Sequence, residues 1–232
     1  MSSLSFTNVT LEYPDGNSTL KALDSVHLSV ARGEFLSLVG PSGSGKSSLL
    51  AVAATLVQPT SGVVMIDGDD LYALDERRRT ALRREKVGII FQQPNLLPSL
   101  TAVEQLLVRG HLRGRPAHEG RRKAEELLDT VGLSGVLNKR PHQLSGGQRQ
   151  RVNIARALMG SPSVLLVDEP TAALDHERSE SIVRLLRRIT DEFATATVMV
   201  THDTEFLPLT DSVATMRDGR LSRAAVPSGQ PN

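Results

Sequence analysis

The 232-residue chain carries 27 basic and 26 acidic side chains, a net charge of +1, and only 3% aromatic residues with no tryptophan. This balance provides no strong field for nucleic acid and few rings for stacking on bases, so a nucleic-acid partner is disfavoured. The absence of cysteine excludes disulfides, thiolate catalysis and cysteine metal sites, and the length favours a single domain.

The first part of the chain is predicted to consist of strands around one helix. Strands are predicted from alternating or apolar runs at residues 4–11, 25–30, 34–39, 62–68 and 87–91. Turn residues at 13–16 separate the first two strands. Residues 48–54, which follow the third strand, are predicted to form a helix. The order of these elements favours an α/β fold.

Residues 97–159 have a different pattern. Helical periodicity covers 117–131 and 147–159, and no convincing strand intervenes, which predicts a helical insertion. Beyond it, unbroken apolar runs at 163–167 and 196–200 are typical of parallel strands covered on both faces. Two basic runs, 77–79 and 121–123, are interpreted as solvated helix faces rather than nucleic-acid patches.

A phosphate-binding loop is predicted at residues 40–47, which read G-P-S-G-S-G-K-S between a strand and a helix. Backbone N–H groups in such a loop wrap the phosphates of a nucleotide, and the helix N-terminus adds partial positive charge. Lys46 is expected to reach the β- and γ-phosphates and Ser47 the bridging Mg²⁺; the alternative is a plain glycine turn before a helix. The predicted nucleotide-binding residues here are Gly40, Pro41, Ser42, Gly43, Ser44, Gly45, Lys46, Ser47 and Ser48.

Two consecutive carboxylates follow the apolar run that begins at residue 164. Asp168 ends the run, at the edge where open α/β sheets place their ligands, and is a candidate ligand for Mg²⁺. Glu169, beside it, is suited to act as a general base. The alternative is a structural Asp-Glu turn before Pro170.

A second glycine-rich segment, residues 144–148, opens a predicted helix and again offers free N–H groups to an anion. A single phosphate-binding site does not need a second anion-binding segment about a hundred residues later in the chain. A second segment is expected if the anion that it contacts is bound by another molecule. Ser145, Gly146, Gly147 and Gln148 are therefore further candidates for nucleotide binding.

These motifs resemble those of the ATP-binding-cassette (ABC) family over nearly the whole chain. Residues 40–47 match the Walker A motif of that family, 164–168 its Walker B motif, 144–148 its signature motif and 172–175 its D-loop. The resemblance implies an α/β fold: a P-loop NTPase core with a parallel sheet, an N-terminal antiparallel β subdomain and a helical subdomain insertion.

The same resemblance implies boundaries. A single ABC ATPase domain would span 1–232, with about 1–94 and 160–226 in the RecA-like core and the β subdomain, and about 95–159 in the helical subdomain. No strong boundary signal divides the chain further.

Three isolated residues also resemble family positions. His202 is similar to the switch histidine, and Tyr13 to the aromatic residue that stacks on adenine. Gln92 looks like the Q-loop glutamine, although Gln93 stands beside it. The structural alternatives are a hydrogen-bonded histidine at a strand end for His202 and core packing for Tyr13.

What the resemblance implies is a head-to-tail homodimer that hydrolyses ATP. Each ATP would lie between Lys46 of one chain and Ser145, Gly146 and Gly147 of the other. Glu169 would polarise the attacking water, His202 would contact the γ-phosphate, and Lys46 would complete the catalytic set. Mg²⁺ would be held by Ser47, Gln92 and Asp168.

No stretch reaches the roughly 18 apolar residues of a membrane span, and the first ten residues do not read as a signal peptide. The family resemblance then implies a separate integral-membrane permease, with two copies of this chain bound to two permeases at the cytoplasmic face of the membrane. The contact is expected near residues 95–101, next to Gln92.

Residues 33–35, 95–98 and 216–220 look like the branch that serves macrolide exporters, lipoprotein-release complexes, haem exporters and the cell-division cassette. We expect an exporter ATPase. The alternative is a cell-division-type module that signals across the membrane without transport. A soluble cassette of translation or DNA repair would carry a tandem cassette or a long coiled coil, and neither is present in this sequence. Because selectivity would lie on the permease, the sequence does not select the exported substrate.

Overall fold

The computed structural model describes residues 2–16, 18–111 and 117–225. Its strands are β1 (Ser2–Asp15), β2 (Ser18–Ala31), β3 (Phe35–Val39), β4 (Ser61–Ile66), β5 (Asp69–Asp70), β6 (Val87–Ile90), β7 (Val164–Asp168), β8 (Ala196–Val200), β9 (Ser212–Arg217) and β10 (Arg220–Ala225). Its α-helices are α1 (Lys46–Ala53), α2 (Glu76–Lys86), α3 (Ala102–His111), α4 (Ala117–Thr130), α5 (Gly146–Leu158) and α6 (His176–Phe193).

A six-stranded sheet in the order β10-β9-β3-β8-β7-β6 forms the centre of the fold. All neighbouring strands in it are parallel except the last hairpin, β9–β10. The predicted apolar runs become these parallel strands because other elements cover both faces of the sheet, so successive side chains all need apolar neighbours. The carboxyl ends of β3, β7 and β8 therefore meet at one edge.

The two faces of this sheet belong to different cores. Leu166 and Val198 pack with the antiparallel sheet and α1, whereas Leu165 and Met199 pack with the helices α3, α4 and α5. Because strand side chains alternate between faces, neighbouring apolar residues of one strand serve separate layers. The P-loop sheet is thus held between the N-terminal strands on one side and the helical segment on the other.

The hairpin β9–β10 was missing from the sequence prediction. It turns at Asp218 and Gly219, both with positive φ (50° and 76°), the geometry of a two-residue turn. An Asp-Gly pair between two runs of alternating residues is a strong sequence signal for such a turn, so the hairpin was predictable from the sequence.

The second sheet is antiparallel, in the order β2-β1-β4-β5. Its first two strands are 14 residues long, well beyond the predicted 4–11 and 25–30. The turn predicted at 13–16 is wrong in place, since Tyr13 pairs with Leu20 and Asp15 with Ser18. Backbone pairing continues through polar residues and through Pro14, so the chain reverses only after Asp15.

The described residues between 95 and 159 contain helices and short 3₁₀ turns but no strand. The helices predicted at 117–131 and 147–159 lie within one residue of the observed α4 and α5. The subdomain boundaries given above stay a prediction. None of the helices in the described part of the chain is both long and apolar enough to cross a membrane.

The interpretation of the basic runs as solvated faces is wrong for Arg79. Its guanidinium lies 5.4 Å from the centroid of the Tyr72 ring, and its side chain is only 16% exposed. Lys123 similarly places its ammonium 5.9 Å from the centroid of the Phe193 ring. Arginine and lysine commonly pack their stems on apolar groups while the charge stays near water. Arg77, Arg78, Arg121 and Arg122 are exposed as predicted.

Candidate functional site

A cavity of about 300 Å³ opens at the edge where the parallel strands end. Nine of the predicted site residues line it: Tyr13, Ser42, Gly43, Gly45, Lys46, Ser47, Ser48, Glu169 and His202. Three residues of β2 complete the wall, namely Leu20, Lys21 and Ala22, and the sequence did not indicate them. The fold therefore brings together segments from four distant parts of the chain.

The phosphate loop needs glycine at two positions for lack of space. A Cβ on Gly40 would collide with the carbonyl oxygen of Met216, and one on Gly45 with that of Ala22. Both glycines also have positive φ, 149° and 106°, in which other residues are strained. Gly45 immediately precedes α1, so the first N–H groups of that helix face the loop.

Lys46 is buried within the loop, with only 6% of its surface exposed. Its ammonium donates hydrogen bonds to the carbonyl oxygens of Gly40 (2.9 Å) and Pro41 (2.7 Å). These two bonds hold the charge at the mouth of the loop. A buried ammonium satisfied only by neutral carbonyls can exchange them for an anion, and the exchange is favoured electrostatically.

The hydroxyl of Ser44 is an orphaned donor in the same loop. The residue is 4% exposed, and its Oγ has no hydrogen-bond partner among the described residues. Buried hydroxyls are nearly always paired, so an unpaired one next to a cradle of N–H groups fits a ligand oxygen. The loop thus has the donors and the charge that a nucleotide's phosphates require.

Glu169 and His202 reach the cavity from neighbouring strands. Asp168 pairs with Val200 at the ends of β7 and β8, and the backbone N–H of Glu169 donates to the carbonyl of Val200 (3.1 Å). The two side chains then meet, with His202 Nε2 against Glu169 Oε1. The strand register therefore decides that a carboxylate and an imidazole face each other at the cavity.

The environment of Asp168 favours its neutral form. Burial raises the pKa of this carboxyl above its ordinary value, and the negative charge of Glu169 raises it further. Lys46 and His202 oppose this shift with positive charge. The two adjacent carboxyl groups supply oxygen ligands of the kind that Mg²⁺ prefers, and a bound cation would favour the ionised form of Asp168.

Tyr13 and Leu20 form an apolar wall of the cavity. They face each other across the β1–β2 hairpin and are both exposed, Tyr13 to 40%. An exposed aromatic ring beside a phosphate loop can stack on a nucleotide base. Leu20 could not be assigned from the sequence, because the hairpin turn was misplaced and its register is what sets the two side chains opposite each other.

The serine-glycine segment begins α5 but does not approach this cavity. Ser145 caps the helix: its Oγ accepts from the N–H of Gln148 (3.2 Å), and the amide oxygen of Gln148 accepts from the N–H of Ser145 (2.9 Å). This reciprocal cap gives Gln148 a structural role in addition to the predicted one. Within the described part of the chain, the cavity lining includes neither these residues nor the exposed Gln92.

Comparison with known proteins places this geometry in a family. The model described as ABC transporter matches residues 23–172. The chain is 43% identical over 225 residues to the lipoprotein-releasing system ATP-binding protein LolD of Shewanella frigidimarina, covering 97% of this chain and 94% of that protein. It is 44% identical over 209 residues to an uncharacterized ABC transporter ATP-binding protein of Thermotoga maritima, covering 90% and 89%.

Two solved structures of cassette proteins are also similar to this chain. The cassette MJ0796, a protein of Methanocaldococcus jannaschii solved as a dimer in a post-hydrolysis state with ADP and Pi, matches with a TM-score of 0.85 at 40% identity. The alignment covers 96% of this chain and 98% of that one. The chain named cbiO1 from Clostridium perfringens, part of the transporter complex cbiONQ, matches with a TM-score of 0.86 at 30% identity, covering 95% and 87%.

These matches confirm the predicted family, the α/β P-loop fold, nucleotide binding and ATP hydrolysis. They support a transporter ATPase rather than the signalling module that the sequence left open. The chain belongs to the ABC transporter family and is an ATP-binding, ATP-hydrolysing subunit of the branch that contains the lipoprotein-releasing ATP-binding proteins.

Proposed function

We propose that two copies of this chain close around two molecules of ATP, and that this closure drives a separate membrane permease that exports its substrate. The observation that carries the proposal is the division of the anion-binding parts. Lys46, Glu169 and His202 share one cavity, whereas the capped helix start at Ser145 lies outside it on the same chain. A second copy, arranged head to tail, would supply that helix start to the first copy's ATP. The dimeric structure of the similar cassette MJ0796 supports this arrangement.

Each side chain would have a defined task in the reaction. Lys46 would leave the carbonyls of Gly40 and Pro41 and bind the β- and γ-phosphates, where it would offset the charge that develops on the leaving group. Glu169 would accept the proton of the attacking water, and His202, in contact with Glu169, would hold it towards the γ-phosphate.

The metal would be held by Ser47, Asp168 and Gln92 together with phosphate oxygens. Hydroxyl, carboxylate and amide oxygens are the hard ligands that Mg²⁺ prefers. When bound, Mg²⁺ neutralises charge on the phosphates. Asp168, whose raised pKa reflects burial next to Glu169, would gain a cation that favours its ionised form.

An apolar groove of about 580 Å³ is the proposed docking surface for the permease. Leu56, Phe91, Leu97 and Val108 line it, and each is between 41% and 58% exposed. Four large apolar side chains exposed around one groove are unusual on a surface that stays in water, and they mark a binding site. Asn95 and Leu97 belong to the segment that the sequence singled out for this contact.

Arginines on the rim of the groove indicate the chemistry of the permease segment. Arg83 and Arg156 contribute to the lining, and no carboxylate does among the described residues. Arg156 donates to the carbonyl oxygen of Pro94 (2.7 Å), and Arg83 to that of Thr55 (3.0 Å), which leaves the charge of each uncancelled by these acceptors. A segment with an apolar face and at least one carboxylate would complement such a groove.

The permease would place the chain at the cytoplasmic face of the membrane. Several relatives are named for lipoprotein release, at 40–43% identity, so a lipoprotein is the first cargo to test. Macrolides and haem are the other substrates of the predicted branch.

Replacing Glu169 by Gln tests the proposed reaction. The variant should bind ATP as the wild type does, because the amide keeps the volume, and should lose hydrolysis by about a hundredfold or more, because no base remains. In the presence of Mg²⁺ and ATP it should accumulate as a dimer in light scattering. Glu177→Gln, an exposed carboxylate on α6, is the matched control and should change neither property.

The dimer is tested separately through Ser145. In the Glu169→Gln background, Ser145→Arg should retain ATP binding but remain monomeric, because the side chain would fill the space meant for phosphate. Ser145→Ala removes the helix cap without that bulk and should still dimerise. An ATP-dependent dimer of normal stability in the arginine variant, or undiminished hydrolysis by Glu169→Gln, would refute the proposed site.

A further inference from the structure

A second hollow, of about 290 Å³, lies behind the Glu169–His202 pair. Glu169 and His202 line both this hollow and the phosphate-loop cavity, so the pair separates the two spaces. The rest of the hollow is formed by the segment after β7, which leads into α6, and by the segment after β8. Whatever joins these two segments also sets the distance between Glu169 and His202.

One side chain joins them directly. His176, the first residue of α6, places Nδ1 3.2 Å from a carboxylate oxygen of Glu205. Its ring also stacks on that of Phe206, with centroids 5.7 Å apart and 27° between the planes. Phe206 is buried, only 3% exposed, and so provides a fixed surface for the imidazole. The segments after β7 and β8 are thus connected by a close polar contact and a ring stack.

The segment that carries Glu205 is itself wound tightly from His202 onwards. Thr201, buried at the end of β8, accepts through its hydroxyl from the N–H of Asp203 (3.0 Å). The carboxylate of Asp203 then accepts from the N–H of Glu205 (3.0 Å). These side-chain turns fix Glu205 relative to His202. Movement of Glu205 is therefore transmitted to His202.

We infer that His176 and Glu205 are positioning residues for ATP hydrolysis, which hold His202 against Glu169. The inference rests on the roles proposed for Glu169 and His202. The side chains of His176 and Glu205 are both 68% exposed, and an exposed polar contact of this kind contributes little to folding stability. Its contribution lies in geometry, because a catalytic pair displaced by a fraction of an ångström loses rate.

Kinetics of the full-length chain with Mg²⁺ and ATP test this inference. His176→Phe keeps the stack on Phe206 but removes the polar contact with Glu205, and Glu205→Ala removes the same contact from the other side. Each should lower kcat about three- to tenfold and leave the KM for ATP and calorimetric ATP binding unchanged. The double variant should lose no more than either single one, because both remove one contact. His176→Gln, which can still donate to Glu205, should recover part of the rate.

The matched control is the pair Arg122–Glu126, an exposed ion pair of 2.9 Å on α4, where Glu126→Ala should leave kcat unchanged. Wild-type kcat in both His176→Phe and Glu205→Ala would overturn the inference, as would additive losses in the double variant. So would a fall in the melting temperature of more than about 4 °C together with weakened ATP binding. The proposed function is tested separately. If Glu169→Gln is inactive but His176→Phe is unaffected, the positioning role of His176 and Glu205 is refuted and the proposed function stands.

Discussion

At the scale of single residues, Glu169 is one of nine non-glycine residues with positive φ in the described part of the chain, and it is the one that lies in the phosphate-loop cavity beside His202. Its φ is 44°, in the left-handed region that non-glycine residues rarely adopt, which costs on the order of 1–3 kcal/mol. The strain is held by the N–H bond to Val200 and by the contact with His202. A strained carboxylate at a cavity agrees with a catalytic role, because the conformation aims the side chain at the ligand rather than relaxing it.

Replacing Asp168 is predicted to increase the stability of the fold and to abolish ATP hydrolysis. The pKa of the Asp168 carboxyl is higher in the folded chain than its value of about 3.8 in the unfolded chain. The neutral carboxyl therefore adds stability that is fully present below about pH 3.8 and is lost as the pH rises through the pKa of the folded state. At pH 7 the ionised carboxylate therefore destabilises the ligand-free chain. Asp168→Asn should therefore raise the melting temperature of the ligand-free chain at pH 7, while Mg²⁺-dependent hydrolysis is lost.

The check is thermal unfolding without nucleotide at pH 7 and pH 4. The advantage of Asp168→Asn should shrink at pH 4, where protonation of Asp168 relieves the wild type. A lower melting temperature than wild type at pH 7 would contradict the assignment of Asp168 as a destabilising ligand group. Asp191→Asn is a useful control, because that carboxylate is exposed and paired with Arg187.

At the scale of elements, the end of α1 depends on one tyrosine. The hydroxyl of Tyr72 lies 2.7 Å from the carbonyl oxygen of Val52 and 2.6 Å from that of Val57, both at or just beyond the end of the phosphate-loop helix. Arg83 binds the carbonyl of Thr55 nearby (3.0 Å). The hydroxyl of Tyr72 has one proton, which it shares between its two carbonyls, and the carbonyl of Val52 also accepts from the N–H of Thr55 (3.0 Å). These contacts fix the helix that begins with Lys46.

Tyr72→Phe should therefore destabilise the chain by about 1 kcal/mol, because the buried hydroxyl and its hydrogen bond to the end of α1 are lost, while the carbonyl of Val52 keeps the N–H of Thr55. Burial raises the pKa of Tyr72 to about 12, so its contribution is complete below pH 10 and is lost as the pH rises towards 12. Denaturant unfolding at pH 7, and then between pH 9.5 and 12, measures both effects. The wild type should lose stability with pH more steeply than the variant; parallel curves would contradict the role of the buried hydroxyl.

Element prediction from the sequence succeeded where the pattern is local. The runs at 163–167 and 196–200 were recognisable as strands because all but one residue in each is apolar, and the helix of residues 117–131 is recognisable from its periodicity. The turn at 13–16 failed because Tyr13, Pro14 and Asp15 are turn formers that nevertheless pair across a hairpin. Partner strands decide such cases, and no local pattern shows them.

At the scale of the whole molecule, the proposal assigns the cassette two separate contact surfaces. One is the cavity edge, which a second copy would complete; the other is the apolar groove beside α2, α3 and α5. The groove includes Phe91, directly before Gln92, and the carbonyl oxygen of Phe91 accepts from Asn153 of α5 (3.1 Å). A permease seated there would be connected to the segment proposed to sense Mg²⁺ and ATP.

The groove is tested by Leu97→Asp. A carboxylate buried against an apolar segment costs several kcal/mol, so co-purification of the chain with its co-expressed membrane subunit should fall at least tenfold. ATP hydrolysis by the isolated chain should stay at the wild-type rate. Val63→Asp is the matched control, since Val63 is an exposed apolar residue of β4 that does not line the groove. Undiminished co-purification of the Leu97 variant would place the permease elsewhere.

The sequence by itself determined the chemistry that is written in consecutive residues: the loop that ends in Lys46 and Ser47, the Asp168–Glu169 pair at a strand end, and the helix start at Ser145. Such motifs can be read locally because backbone conformation and side-chain type over a few residues suffice for them. Only the tertiary structure decided which distant residues meet, as Tyr13 and Leu20 do at the cavity, His176 and Glu205 behind it, and Leu56 and Val108 in the groove. These contacts depend on strand register and on how the layers pack. A shift of one residue in the register of β1 and β2, for example, would separate Tyr13 from Leu20 by turning one of them to the opposite face of the sheet.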